Sequence, residues 1–209
     1  RKDAEKAVEI GDSITIDAGY LELRDDKAAA RGFDDRIGAF VIIEALRLLE
    51  KKKIDCAGYC VTTVAEEIGL RGATTSSYGC NPHVGVAVDV GHATDYPSSD
   101  VKRHGDAKIH GGPIIGRGPN INPVVFKQLL ETAKSKKIPY QVGAEPRATG
   151  TDANAIQLSR GGVAAGLVSI PNRYMHSPVE LISIRDAENA AKLLAEWIVT
   201  LRSDMSFIP

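Results

Sequence analysis

The chain has 209 residues, 43% of them hydrophobic, with 26 Lys and Arg against 27 Asp and Glu and a formal net charge of -1. That length supports one well-packed core, and so even a charge balance gives no field for nucleic acid or an anionic membrane surface, so the expected partner is a small or neutral molecule. No apolar run reaches the roughly 20 residues that span a bilayer, and the charged start Arg1-Lys2-Asp3-Ala4-Glu5-Lys6 is unlike a signal peptide, so a cytoplasmic location is expected. Cys56, Cys60 and Cys80 are too few and too irregularly spaced for a disulfide framework or a zinc site, and are expected as reduced thiols.

Residues 1–32 read as short strands and turns, with Asp12-Ser13-Ile14-Thr15-Ile16 and Tyr20-Leu21-Glu22-Leu23 alternating apolar and polar side chains. From Phe33 the texture changes. Asp34-Asp35 precede an apolar helix over 36–49, closed by Glu50-Lys51-Lys52-Lys53, whose cations suit the negative end of the helix dipole. Cys56 to Ala65, rich in Val, Thr and Tyr, predicts a buried strand that delivers Glu66 and Glu67 at its carboxyl end. Val84 to Val90 predicts a second strand, with Asp89 towards its far end. A strand is expected within His104 to Ile115, then a helix capped by Asn122 with Pro123 in its first position. Pro139 to Ala144 predicts another strand, and Thr151 or Asp152 starts a short helix stopped by Gly161-Gly162. Val163 to Ile170 predicts the last buried strand, followed by Pro171-Asn172-Arg173-Tyr174-Met175-His176-Ser177-Pro178 and an amphipathic helix over Asp186 to Leu201.

Strands alternating with helices predict an α/β fold, a mostly parallel sheet sandwiched by helices in three layers, and preceded by the last strands of a small β module. In such sheets ligands gather outside the carboxyl ends of the strands. Asp34, Glu66, Glu67, Asp89 and His176 all fall at positions of that kind. Two adjacent acids after a buried strand are costly without a neighbouring cation. Successive side chains of an extended backbone point to opposite faces, so one of Glu66 and Glu67 is expected to ligate a metal and the other to act as a base. Each residue alone has a plainer reading: Asp34-Asp35 as a helix cap, Asp89 as the cap of the turn before Gly91, His176 as an ordinary hydrogen-bonded histidine. His92, close to Asp89, is a rival ligand.

In this order, Asp34-Asp35-Arg36-Ile37-Gly38, Ala65-Glu66-Glu67, Val88-Asp89-Val90-Gly91, Gly150-Thr151-Asp152-Ala153 and Tyr174-Met175-His176-Ser177 resemble the tetrahedral (TET-type) aminopeptidases, dinuclear metallopeptidases also known as glutamyl or deblocking aminopeptidases or endoglucanase M. The resemblance runs from Gly11 onward. It implies a zinc-peptidase-like fold, two divalent metal ions (zinc or cobalt, with manganese also accommodated), peptide substrates and a cytoplasmic homo-oligomer, a dodecamer in that family. It further implies Asp34 as the carboxylate bridging both metals, Glu67 and His176 completing one, Asp89 on the other and Glu66 as general base. Asp152, Arg173 and Tyr174 are implied as candidates for the substrate pocket. Arg117 and Arg147 are candidates for pairing with acidic substrate side chains, or are structural.

Members of that family carry a His-x-Asp motif in an earlier segment, and nothing here precedes Arg1. Residues 1–32 are therefore expected as the remnant of an inserted, dimerising β domain and 33–209 as a metallopeptidase domain lacking its first segment. Besides an aminopeptidase, this leaves open a catalytically impaired fragment or a noncatalytic subunit of the same fold. A metal-free glycosidase, which would work through a pair of carboxylic acids, would be insensitive to chelators.

Overall fold

The computed structural model describes residues 3–209, so Arg1 and Lys2 of the charged start lie outside it. In chain order the elements are α1 (Ala4–Ala7), β1 (Leu21–Leu23), β2 (Lys27–Ala30), α2 (Phe33–Leu49), α3 (Arg71–Cys80), β3 (Val84–His92), α4 (Val101–His104), β4 (Ile114–Arg117), α5 (Pro123–Ser135), β5 (Gln141–Ala144), α6 (Asp152–Gln157), β6 (Ala164–Arg173), β7 (Glu180–Ser183) and α7 (Ile184–Thr200). Among the described residues no helix is long and apolar enough to cross a membrane.

Among the described residues, the seven strands form one sheet around β6. β3 runs parallel to β6 along one edge, from Val84 opposite Ala164 to His92 opposite Asn172. The other edge of β6 is shared by two antiparallel neighbours, β4 at Val168 and Ser169 and β7 at Asn172 and Arg173. β5 continues β4 in parallel, while β2 and then β1 continue β7 antiparallel. The α/β class holds, with a mixed sheet in which parallel and antiparallel pairing are close to equal. The loops before β2 and before β7 are too short for a helical crossover, so those strands can only reverse direction.

β6 is buried from Ala165 to Asn172 because helices cover both of its faces. On one face Val168 and Ile170 meet α2, α5 and α7. On the other, Leu167 meets Ala87, Ile121 and Ala153 of α6. α2 buries Phe33, Ile37, Val41, Ala45 and Leu49, a spacing of four that makes one apolar stripe. α7 answers with Ala187, Ala190, Ala191, Leu194 and Trp197. The Trp197 indole Nε1–H, otherwise a costly buried donor, reaches Gln128 Oε1 of α5 at 3.1 Å.

The segment 56–65 forms no strand: it pairs with no ladder, bends at Cys56 and Val64, and leaves Tyr59 and Val64 exposed. β-branched side chains favour a strand only when an edge is there to pair with. Among the described residues β3 pairs with β6 alone. Asp12 to Ile16 is likewise unpaired, β4 starts only at Ile114, and α6 ends at Gln157, short of the glycine pair. α3 lacks an apolar period that would announce it; Thr74 and Thr75 return their hydroxyls to the carbonyls of Leu70 and Arg71 within the helix.

The start of α7 is tied to the loop before β4 by a fully buried acid. Asp186 accepts the backbone N–H of His110 at 2.7 Å and of Gly112 at 2.9 Å. Gly112 has φ +87°, and a Cβ there would fall 2.2 Å from the Pro139 carbonyl oxygen, so the loop has no slack with which to find other acceptors. Asp186→Ala is expected to cost about 2–5 kcal/mol in chemical denaturation through two stranded buried N–H groups, and Asp186→Asn also to destabilise, because its amide NH2 would face one of the two N–H groups. Wild-type stability in Asp186→Ala would mean that the carboxyl is not the tie.

Candidate metal centre

The motif Asp34-Asp35-Arg36-Ile37-Gly38 folds into a pivot in the first turns of α2, just after β2. Gly32 sits at φ 67°, in the left-handed region where glycine carries no Cβ penalty. Arg36 clasps that turn, donating from Nε to the Gly32 carbonyl at 2.8 Å and from Nη2 to the Arg31 carbonyl. The Asp34-Asp35 peptide is cis, and both residues lie outside helical geometry. The Asp35 carboxyl folds back over the first turn and accepts the Gly38 N–H at 3.0 Å. A Cβ at residue 38 would lie 2.1 Å from Asp35 Oδ2, so the glycine of the motif makes room for that carboxyl.

Glu66 and Glu67 open the turn into α3 instead of ending a strand. The Glu66 carbonyl accepts the N–H groups of Gly69 at 3.0 Å and Leu70 at 2.9 Å, and Gly72 donates to the Val64 carbonyl at 2.8 Å. A Cβ on Gly72 would meet Val64 N at 2.3 Å, so α3 can seat against this segment only through a glycine. Thr63 Oγ1 donates to Asp152 Oδ2 at 2.6 Å, pinning the same segment to the start of α6. His176 arrives from the far side, on the turn between β6 and β7, with Tyr174 at φ 59° and His176 at φ 61°.

These pieces bring Asp34, Glu67 and His176 together with ligating atoms all within 4.8 Å of one another. His176 Nε2 stands 3.0 Å from Asp34 Oδ2 and 3.8 Å from Glu67 Oε2. Around a tetrahedral zinc with bonds of about 2.0–2.2 Å, neighbouring ligand atoms lie about 3.3–3.6 Å apart, so two carboxylates and an imidazole at this spacing fit a divalent ion. Asp89 stands outside that trio, with its Oδ1 accepting the Val90 N–H at 2.7 Å.

The acids around the trio are held uncomfortably close. Burial, reinforced by Glu67 and Glu180 and opposed by His176, pushes Asp34 up to about 6. Burial with Asp89, Asp34 and Glu66 nearby pushes Asp35 up to about 9. Asp89 rises to about 8 through burial and then through Asp34, Glu66 and Asp152. Glu66 rises to about 7 through burial and then Glu67, Asp152 and Asp34. The mutual influence puts all of these carboxyls in one electrostatic neighbourhood.

Asp152 is raised by burial, although Thr63 works against this, and its Oδ1 is buried without a hydrogen-bond partner. Arg173 makes a two-pronged pair with Asp95, Nε at 2.8 Å and Nη2 at 2.7 Å. The Tyr174 ring packs against Tyr96 with centroids 4.8 Å apart. His92 lies against His104 at 5.1 Å; burial, His104 and His176 depress its pKa. Among the described residues His92 is not part of a cluster with ligating spacing. Sequence reasoning missed Glu180, which is 2% exposed and accepts the N–H of Asp34 at 3.0 Å and of His176 at 3.1 Å. Its signal was an acid inside the apolar run Val179-Glu180-Leu181-Ile182, only four residues after His176.

Comparison with known proteins gives consistent matches. The chain is 41% identical over 210 residues to lysyl aminopeptidase of Pyrococcus furiosus, covering 100% of this chain and 59% of that protein. It superposes on aminopeptidase APDkam598 from the archaeon Desulfurococcus kamchatkensis with a TM-score of 0.88 and 39% identity, over 97% of this chain and 57% of the other. It also superposes on the Pyrococcus horikoshii TET1 peptidase, described as able to assemble into a tetrahedron or a large octahedral shell, with a TM-score of 0.78 and 27% identity, over 96% of this chain and 58% of that one. The chain thus spans less than two thirds of the length of these relatives. Residues 1–193 match the M42 glutamyl aminopeptidase family, and with the acids, the histidine and their order in the fold, the chain belongs to that family.

Proposed function

We propose that this chain carries the catalytic region of a metal-dependent aminopeptidase that removes N-terminal residues from short peptides. The observation that carries the reading is the trio Asp34, Glu67 and His176, with ligating atoms within 4.8 Å, set among acids that burial makes hard to ionise without a cation. Two divalent ions fit the proposal, zinc or cobalt with manganese as a third choice. Asp34 would bridge them, Glu67 and His176 would complete one, and Asp89 would hold the other. Bound there, such ions supply Lewis acidity that lowers the pKa of a water to about 7 and polarises the scissile carbonyl.

The remaining work falls to the protein. Glu66 takes a proton from the attacking water and returns it to the leaving amine; in the metal-free chain burial, then Glu67, Asp152 and Asp34, raise its carboxyl to about 7, which makes it a better proton acceptor than a free glutamate. The crowd of carboxyls draws a substrate's α-ammonium to the site, which an internal peptide segment cannot offer. Asp152, Arg173 and Tyr174 form the proposed pocket wall. Residues 33–209 make up the proposed catalytic unit, residues 1–32 belong to the part that pairs subunits, and the working form is a homo-oligomer like that described for the P. horikoshii peptidase.

Glu66→Gln is expected to lower kcat by about 10²–10⁴-fold on aminoacyl-p-nitroanilides, with metal content per chain unchanged by elemental analysis. Full activity in that variant would remove Glu66 from the proton transfers. Chelation is expected to abolish release and zinc or cobalt to restore it, whereas undiminished turnover in metal-free protein would refute the reading.

The acids also set a pH dependence. Unfolded Asp loses its proton near 3.8, whereas folded Asp35 and Asp89 hold theirs to about 9 and 8. Between those values the folded state binds more protons than the unfolded one, so stability falls as pH rises. The metal-free protein is therefore expected to melt at a higher temperature at about pH 6.5 than at about pH 8.5, and saturating zinc to shrink or reverse the difference, since cations then replace protons. A metal-free melting temperature that climbs over this range would show that the acids are not buried together.

A further inference from the structure

Glu180 occupies a position between the two chain segments that supply the imidazole and the shared carboxylate. It begins β7, paired with Ala30 at the end of β2, so that one neighbour leads in four residues to Asp34 while its own strand begins four residues after His176. Its carboxyl is 2% exposed, and each oxygen accepts one backbone N–H, Oε2 from Asp34 and Oε1 from His176. Those two residues are far apart in the chain and meet through Oδ2 and Nε2 at 3.0 Å. The turn that carries His176 holds two non-glycine residues, Tyr174 and His176, in the left-handed region. Such a conformation costs free energy and persists only where the surroundings over-determine it. Within the turn itself the Ser177 N–H reaches the Tyr174 carbonyl at 3.1 Å, and Glu180 supplies the tie at His176.

We propose that Glu180 is the positioning residue of the metal centre: by taking one backbone N–H from Asp34 and one from His176, it sets the distance and the angle at which their side chains meet a divalent ion. This rests on the metal-dependent reading above. A buried acid costs more than a neutral side chain unless it gains hydrogen bonds, and here both come from ligand-bearing residues. A glutamine cannot replace it, because its amide NH2 would face one of the two N–H groups it must accept. Groups that orient metal ligands in this way typically contribute about 10–100-fold in metal affinity.

The test compares wild type, Glu180→Gln, Glu180→Asp and Ser183→Ala. Ser183 lies in the same buried strand and caps α7, where its Oγ accepts the Asp186 N–H, away from the ligand trio. Zinc affinity is read by competition with a chromophoric chelator, ligand geometry by the visible absorption of the cobalt-loaded protein, and integrity of the fold by the melting temperature of the metal-free forms. Glu180→Gln is expected to bind zinc about 10–100-fold more weakly and to alter the cobalt spectrum, while Ser183→Ala lowers the melting temperature and leaves affinity and spectrum unchanged. If Glu180→Gln does not fold, Glu180→Asp carries the test, because a side chain one methylene shorter cannot reach both N–H groups. Affinity within about twofold of wild type in the folded variant, with only the melting temperature reduced, would make Glu180 a purely structural residue and overturn the proposal. A wild-type protein that binds no zinc or cobalt would instead remove the metal reading, and this proposal with it.

Discussion

The constraint on which the rest of the structure depends is the gathering of like charges at the carboxyl ends of β3 and β6. Two unit charges about 5 Å apart in surroundings of effective dielectric about 20 repel by about 3 kcal/mol. A handful of such pairs among Asp34, Asp35, Glu66, Glu67 and Asp89 would rival the whole stability of a domain, about 5–15 kcal/mol. The fold therefore cannot hold these acids fully ionised and uncompensated. Protons are one compensation, as the raised pKa values of Asp35 and Asp89 express. Cations are the other, and only the cations leave the carboxylates in the ionised form that a ligand or a base needs.

Side chains under such repulsion would swing apart if they stood on pliable loops, and much of the surrounding sequence prevents it. Arg36 clasps the carbonyls before Asp34, and Gly38 gives the Asp35 carboxyl its space. Gly72 lets α3 seat on the backbone of Val64, and Thr63 fastens the same segment to Asp152. Each device acts within a few residues of one of these acids, so the acids are held in place largely through their own stretch of chain. The three helices over the Val168 and Ile170 face supply the rigid mass against which these small adjustments are made.

What was legible in the sequence were the features with local physics. The Asn122 cap with Pro123, β3, β6 and α7 follow from capping chemistry and apolar periodicity, and each appears within a few residues of its expected place, whereas α6 starts after Thr151 with no side-chain cap, the Thr151 hydroxyl pairing with that of Thr149 at 2.9 Å. Asp34, Glu67 and His176 were found through motif order, and the fold brings them together. What was not legible depends on distant partners. Residues 56–65 have strand composition, but pairing is a property of an edge, and composition cannot say whether an edge is available. β7 is four residues long, too short for alternation to stand out, and the importance of Glu180 lies in two N–H groups separated by 142 positions. α3, rich in Ser and Thr, has the composition of a loop.

The arginines show how geometry changes the meaning of a charge. Read along the chain, Arg117 and Arg147 are candidate partners for an acidic substrate side chain, or structural, and Arg173 is a candidate for the pocket wall. In the fold, Arg173 is neutralised by both oxygens of Asp95, which also accepts the Ile109 N–H at 3.1 Å. That pairing holds the Asp95 carboxyl below its usual range even though burial acts in the opposite direction. Arg117 lies over the Phe126 ring, 5.4 Å from its centroid, an arrangement that engages its charge with the aromatic face. A guanidinium already matched in a planar, two-pronged pair gives up that pair before it can take another carboxylate. Both guanidiniums are thus engaged within the fold, Arg173 by a carboxylate and Arg117 by an aromatic face, and neither stands as a free cation beside the trio.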